Sequence, residues 1–187
     1  MKLEDFAIRV LEATESAGLD FMIVGAIAAG THGVPRATKD VDILVAVTGD
    51  SKLPDVIRTL DDIVEFEPQV VFDTLTWGRR HVGKIRTSPP FKVEFFEVFD
   101  DPFVLEEFRR RRKVFVPMLG RETWLPTPED VVIQKLRWGR SKDLDDARDI
   151  LAVQGPETLD MDYVQSWCAR HGTSARLEEA LAGIPPL

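Results

Sequence analysis

Apolar residues near the start of the chain recur at helical spacing. Leu3, Phe6, Ala7, Val10 and Leu11 fall on one stripe, and Gly18 stands where a helix would stop, so the spacing predicts a helix over 3–17. The apolar runs then shorten. Phe21-Met22-Ile23-Val24 reads as a buried strand meeting Gly25, and the small residues 26–30 read as a short helix. A loop spans 34–39, residues 40–47 alternate like a strand, and Ser51 and Pro54 open a helix that runs to Leu60. Residues 63–72, 81–87 and 92–99 are strand candidates. The last holds three Phe and two Val in eight residues, and Pro89-Pro90 breaks the chain before it. Residues 102–112 read as a helix, and 113–125 as a hairpin turning at Leu119-Gly120-Arg121. After Pro126-Thr127-Pro128 the pattern is helical over 129–138, 142–153, 160–171 and 174–182. No repeat or low-complexity linker interrupts it. The expected class is α/β (α+β): a mixed sheet flanked by helices over 1–125, with a helical region over 126–187 packed on it as one structural unit.

Composition narrows this picture. At 187 residues, with 44% hydrophobic and 30% charged positions, the chain has the balance of a globular protein, which rules out global disorder. No apolar run approaches the roughly 18 residues of a membrane span, so no membrane partner is expected. The acidic start Lys2-Leu3-Glu4-Asp5 argues against a secretory or transit peptide. A lone Cys168, with His32, His81 and His171, leaves no disulfide framework or cysteine-based zinc site, and the expected setting is a reducing cytoplasm. The net charge of −8 excludes a protein that coats nucleic acid through bulk charge. The local exception is the basic run Arg109 to Lys113. A solvated face is its commoner meaning, and a landing strip for RNA the sharper one.

The chemistry concentrates between Gly25 and Asp42. On a strand, Asp40 and Asp42 share one face, about 7 Å apart, and repel unless something positive lies between them. A divalent cation is the natural partner, since Mg²⁺ takes one or two carboxylates plus substrate phosphates. Strand, Gly25-Ala26 and a small-residue helix together offer backbone N–H groups to a phosphate. A third carboxylate should come from a neighbouring strand. Glu94 lies with Lys92 and Phe96 on one face and Glu97 with Val93 and Phe95 on the other, so parity alone does not choose between them. Among the late helices, Lys135 falls between Val131 and Val132, and Asp143 among Leu144, Ala147, Ile150 and Leu151. Inward-facing Lys and Asp on consecutive helices suggest mutual pairing or a shared ligand; a snorkelling Lys and a first-turn acid are the plainer alternatives. His32 reads as a hydrogen-bonded structural group and Cys168 as core.

These residues resemble a known family. Gly25-Ala26 followed by Arg36-x-Thr38-x-Asp40-x-Asp42 looks like the first motif of the nucleotidyltransferase superfamily with the polymerase-beta-type fold, nearest its AbiEii-type branch. That branch carries a later-helix Lys, matched by Lys135, and an Arg-x-Lys-Asp-x-x-Asp motif, matched from Arg140 through Lys142 and Asp143 to Asp146. Two positions depart from the pattern: Ala26 replaces Gly or Ser, and Glu94 stands where the third carboxylate is usually Asp. The resemblance implies transfer of a nucleoside monophosphate from an NTP to a hydroxyl. Asp40 and Asp42 would hold Mg²⁺ (or Mn²⁺), and Glu94 would complete the metal and catalytic set. Gly25, Ala26, Arg36, Thr38, Lys135, Lys142 and Asp143 would form the nucleotide site. RNA, a protein and a small molecule are the implied acceptors, with the basic run tilting toward RNA. The rival is a regulatory protein of a toxin–antitoxin pair with a cognate protein partner; retention of both aspartates favours the enzyme.

Overall fold

The computed structural model describes residues 1–47, 52–73 and 78–184. Helix α1 (Leu3–Ser16) buries Phe6, Val10 and Leu11 and leads through Gly18, at φ 64°, into β1 (Phe21–Ile23). Helix α2 (Gly25–His32), β2 (Asp40–Val45), α3 (Leu53–Leu60), β3 (Val64–Phe66), β4 (Val71–Phe72), β5 (Arg79–Ile85) and β6 (Lys92–Glu97) follow. The chain continues through α4 (Pro102–Arg110), the hairpin β7 (Arg112–Val116) and β8 (Arg121–Leu125), and helices α5 (Pro128–Trp138), α6 (Ser141–Gln154), α7 (Met161–His171) and α8 (Ser174–Ala182). Two differences from the pattern have physical causes. The single strand expected over 63–72 is two short pieces, because Pro68 lacks the N–H a continuous ladder needs. The helix expected to reach residue 112 stops at Arg110, because Arg112 already pairs with Leu125 in the hairpin. Ser51 and Trp77, and the last residues 185–187, lie outside the described residues.

Among the described residues one mixed sheet runs β1-β2-β6-β5-β3, with β4 also on β5. Only the central β2–β6 pair is parallel. One face of those two strands presents Val41, Ile43, Val45, Val93 and Phe95, fully buried in an apolar cluster that also takes Phe6 and Val10 of α1 and Ile133, Leu136, Ile150 and Leu151 of α5 and α6. The shared cluster ties the helical C-terminal part to the sheet. The opposite face is polar at one end and apolar at the other. Asp40, Asp42, Lys92 and Glu94 give way to Leu44 and Phe96, which join Met22, Val104 and Phe108 in a second, small cluster under α4. The helices beside this face start firmly. Asp101 accepts hydrogen bonds from the N–H groups of Phe103 and Val104 before α4, and Thr127 accepts one from Asp130 before α5, each cap followed by Pro at the first helical position.

Candidate active site

The β2–β6 register sets Asp40 opposite Lys92 and Asp42 opposite Glu94. In-register partners on parallel strands share a face and lie about 4.8 Å apart, so Glu94 joins the two aspartates. Glu97 stands opposite Val45, and its carboxylate is held by His81 Nε2 at 2.7 Å and Arg79 at 3.6 Å. Asp42 is the most stressed acid of the group: burial, then the charges of Glu94 and Asp40, push its carboxyl up to about 7 against the pull of Lys135 and Lys142. Asp40 Oδ1 is sealed from solvent and makes no hydrogen bond, although the Lys92 ammonium is 3.2 Å away. Glu94 takes Arg80 at 3.0 Å and Lys92 at 3.9 Å. Among the described residues no three His, Cys, Asp or Glu side chains form a ready-made metal cage. The donor set still suits a hard cation. It offers carboxylate oxygens, one of them without a hydrogen bond and met only by the Lys92 ammonium, beside a place where phosphates would complete the shell.

That place is the β1–α2 junction. The Val24 N–H donates to the Asp42 carbonyl at 2.9 Å, so the chain turns into α2 directly against the carboxylate. Gly25 sits at φ 66°, and a Cβ there would collide with the Asp42 side chain, its Cγ only 2.8 Å away. Only glycine fits. Ala26 is buried and brings no hydroxyl, so any phosphate contact here is made by backbone. Val24 provides no side-chain cap, which leaves first-turn N–H groups of α2 for an anion. Thr38 Oγ1 accepts the Asp40 N–H at 3.2 Å and fixes the loop entering β2.

Behind the carboxylates lies a buried ionic network. Lys135 Nζ reaches Asp146 at 2.7 Å and Asp143 at 3.3 Å, with side-chain exposures of 8%, 4% and 0%. Arg36 grips Asp146 through Nε at 2.6 Å and a second nitrogen at 2.9 Å, and Arg140 Nε reaches Asp143 at 2.5 Å. Burial alone would raise the Asp146 carboxyl, but hydrogen bonds from Arg36 and Lys135 hold it below the usual range. Lys135 and Asp143 do pair, as their inward faces suggest, and Arg36 belongs to the same network. Lys142 stands exposed at the start of α6, its charge acting on Asp42. Sequence reasoning weighed Arg140 and Asp146 only as motif matches and overlooked Lys92 and Arg80 as partners. The signal for Asp146 was its position three residues after Asp143, on the same helical stripe as Ala147 and Ile150. His32 is structural: burial lowers its pKa, and Nε2 lies 2.9 Å from the Pro126 carbonyl.

The basic run is divided between α4 and β7. Arg109 pairs with Glu106, Arg110 with Asp130, and Arg111 with Asp20 while lying over Phe108. Three of its charges are thus met within the chain. The cations next to the carboxylates instead line a cleft with Gly25, Arg36, Lys39, Arg140 and Lys142 on its walls. It opens past Asp42 into a cavity of about 330 Å³ between the sheet, α4 and α5.

An aspartate pair on a central strand, a third carboxylate in register beside it, and a glycine-started helix pressed on them stand together on a nucleotidyltransferase-like fold. The chain belongs to the family described as nucleotidyltransferase of unknown function (DUF6036), whose model matches residues 2–180. No curated protein matches it in sequence. Among solved structures it is similar to an antigenic nucleotidyltransferase-like protein from Paracoccidioides brasiliensis, with 20% identity, TM-score 0.58, and 99% of this chain and 94% of that one covered. It is also similar to ANT(2″)-Ia in complex with adenylyl-2″-tobramycin, with 13% identity, TM-score 0.61, and 92% and 98% covered. A third is the lincosamide antibiotic adenylyltransferase LnuA, lincomycin-bound, with 10% identity, TM-score 0.52, and 82% and 98% covered. At these identities the likeness shows the fold. No described helix is long and apolar enough to cross a membrane.

Proposed function

We propose that this protein is a Mg²⁺-dependent nucleotidyltransferase that moves a nucleoside monophosphate from an NTP to a hydroxyl of a small molecule in the cytoplasm. The observation that carries the reading is Asp42, pressed against Gly25 and pushed up to about 7 by burial with Glu94 and Asp40 beside it. Such a site is relieved by a cation and does not explain itself as a structural ion pair. Asp40 and Asp42 would hold the ion, Mg²⁺ or Mn²⁺, which when bound neutralises phosphate charge. The backbone at Gly25 and Ala26 receives the terminal phosphates, and Lys142 and Lys39 offset their charge. Glu94 accepts the proton of the attacking hydroxyl at its carboxylate. The new O–P bond forms at the α-phosphorus as the bond to pyrophosphate breaks. Lys135, Asp143, Asp146, Arg36 and Arg140 hold α5, α6 and the 34–39 loop in place around this chemistry.

A small-molecule acceptor is favoured over RNA because Arg109, Arg110 and Arg111 are engaged by carboxylates, and because two fold neighbours carry an antibiotic or its adenylylated product in their descriptions. A second reading has one observation of its own. Lys92 and Arg80 pair with Asp40 and Glu94 and meet charge that a cation would otherwise meet, as a regulatory protein of a toxin–antitoxin pair with AbiEii kinship and a protein partner would allow. Incubation with each α-labelled NTP, with Mg²⁺ or Mn²⁺, and with aminoglycoside, lincosamide, RNA and protein acceptors separates these. Metal-dependent label on a small molecule is expected, lost in Asp42→Asn. Calorimetry showing no metal-dependent binding of any NTP would favour the regulatory reading.

A further inference from the structure

The cavity beyond the carboxylates changes character along the sheet. Asp40 and Lys92, then Asp42 and Glu94, then Leu44 and Phe96 stand as successive in-register pairs on one face. Each pair is about 7 Å beyond the last, so the apolar floor begins one sugar-sized step past the carboxylates. Phe99 and Val104 continue that floor. Along the opposite wall, Val131, Gln134, Lys135 and Trp138 fall at helical spacing on the cavity face of α5. Lys135 is committed to Asp143 and Asp146, and its neighbour Gln134 lines the cavity beside it.

A polar group on this lining lacks a partner. Gln134 Oε1 is shut off from solvent and has no hydrogen-bond partner. A sealed amide oxygen costs free energy until a donor reaches it, and its position on the lining means that an occupant of the cavity can supply one. Glu107 of α4 lines the same space and is 3% exposed. Burial, with Asp130 nearby, raises its carboxyl well above the ordinary range, so its charge is disfavoured there. An aromatic-walled space with a hungry acceptor, and with Arg80 in register beside Phe96 at its edge, suits a flat heteroaromatic ring with exocyclic N–H groups. The guanidinium groups of Arg79 and Arg80 on the same lining do not suit a polycationic sugar.

We propose that this half-cavity is a nucleobase subsite, in which Gln134 Oε1 accepts an exocyclic N–H of the donor nucleotide's base, Glu107 meets the same edge, and Phe96, Phe99 and Trp138 frame the ring. The assignment rests on the nucleotidyltransferase reading of the adjoining carboxylates and adds a base preference to it: adenine, cytosine or guanine over uracil, which has no exocyclic amino group.

The test is titration calorimetry with Mg²⁺ and the α,β-methylene analogues of ATP, GTP, CTP and UTP, with inorganic tripolyphosphate as the base-free probe. At least one amino-bearing analogue should bind tenfold or more tighter than the UTP analogue. Gln134→Met, which keeps the side chain's length and loses the acceptor, should erase that gap and leave tripolyphosphate binding unchanged. Gln134→Glu, which keeps an acceptor, should preserve it. Equal binding of all four analogues, or equal weakening of tripolyphosphate in Gln134→Met, overturns the subsite while leaving the nucleotide reading intact. Failure of every analogue and of tripolyphosphate overturns both. A Gln134→Met effect confined to an aminoglycoside such as tobramycin gives the cavity to the acceptor and also overturns the assignment.

Discussion

Asp42 on β2 and Asp146 on α6 both feel the charge of Lys135, yet one carboxyl is pushed up to about 7 and the other is held below its ordinary value. The difference lies in the company each keeps. Asp146 receives direct hydrogen bonds from Arg36 and Lys135, which more than offset its burial. Asp42 is set among other acids, with its cations at a distance. A third acid, Asp130, resembles Asp146: Arg110, Thr127 and Tyr163 all donate to it. Acids that hold the fold together are saturated with donors. Asp42 is left short of them, an electrostatic cost that the proposed cation would relieve.

The most severe way to break the contrast is Asp42→Asn. Nucleotidyl transfer should fall by about 10³-fold or more, the several kcal/mol that metal-held charge contributes. Stability should move the other way. Asp42 has a folded pKa above its unfolded value near 3.8, so the folded state loses stability as pH rises from there to about 7, and the loss is complete above that. Thermal melts should therefore show the Asn variant gaining on the parent between pH 5 and pH 8. A variant less stable than the parent at pH 8 would sink the account.

Glu94→Gln should cost about 10²-fold in turnover, within the usual range for a proton acceptor. Glu97→Gln should cost far less, and the reverse ranking would move the third carboxylate across the sheet. In the saturated region, Lys135→Met leaves Asp143 and Asp146 buried with Arg140 and Arg36 as remaining partners, and urea unfolding should register a loss of about 3 kcal/mol. Gly25→Ala should destabilise by about 1–3 kcal/mol for its left-handed backbone and weaken nucleotide binding by displacing Asp42. The smallest effect belongs to Arg109→Ala. Its pair with Glu106 lies on the surface, so melting temperature and turnover should both stay within experimental scatter.

Much of the fold was legible because burial imposes periodicity. The 3.6-residue stripe of α1 and the alternation of Asp40 to Val45 follow from which side meets the core, and Pro128 with Thr127 announces where α5 begins. The candidate site was legible where chemistry is local in sequence: Gly25 before a helix, two aspartates two residues apart. Partners from distant segments were not legible. No local pattern says that Arg36 will meet Asp146 across 110 positions, or that Lys92 will sit beside Asp40. The pairing of the basic run was hidden for the same reason, since Asp20 and Asp130 come to it only in three dimensions.

The sequence by itself determined the elements, the class of fold and the residues able to carry charge chemistry, because those follow from spacing, propensity and side-chain type along one stretch of chain. Tertiary structure decided which of those charges are spent on one another and which are left for a ligand. It put Glu94, and not Glu97, on the face of the aspartates by pairing β6 to β2 in a register that aligns Asp42 with Glu94. A strand offers two faces to any neighbour, and only the pairing of backbones from distant parts of the chain selects one.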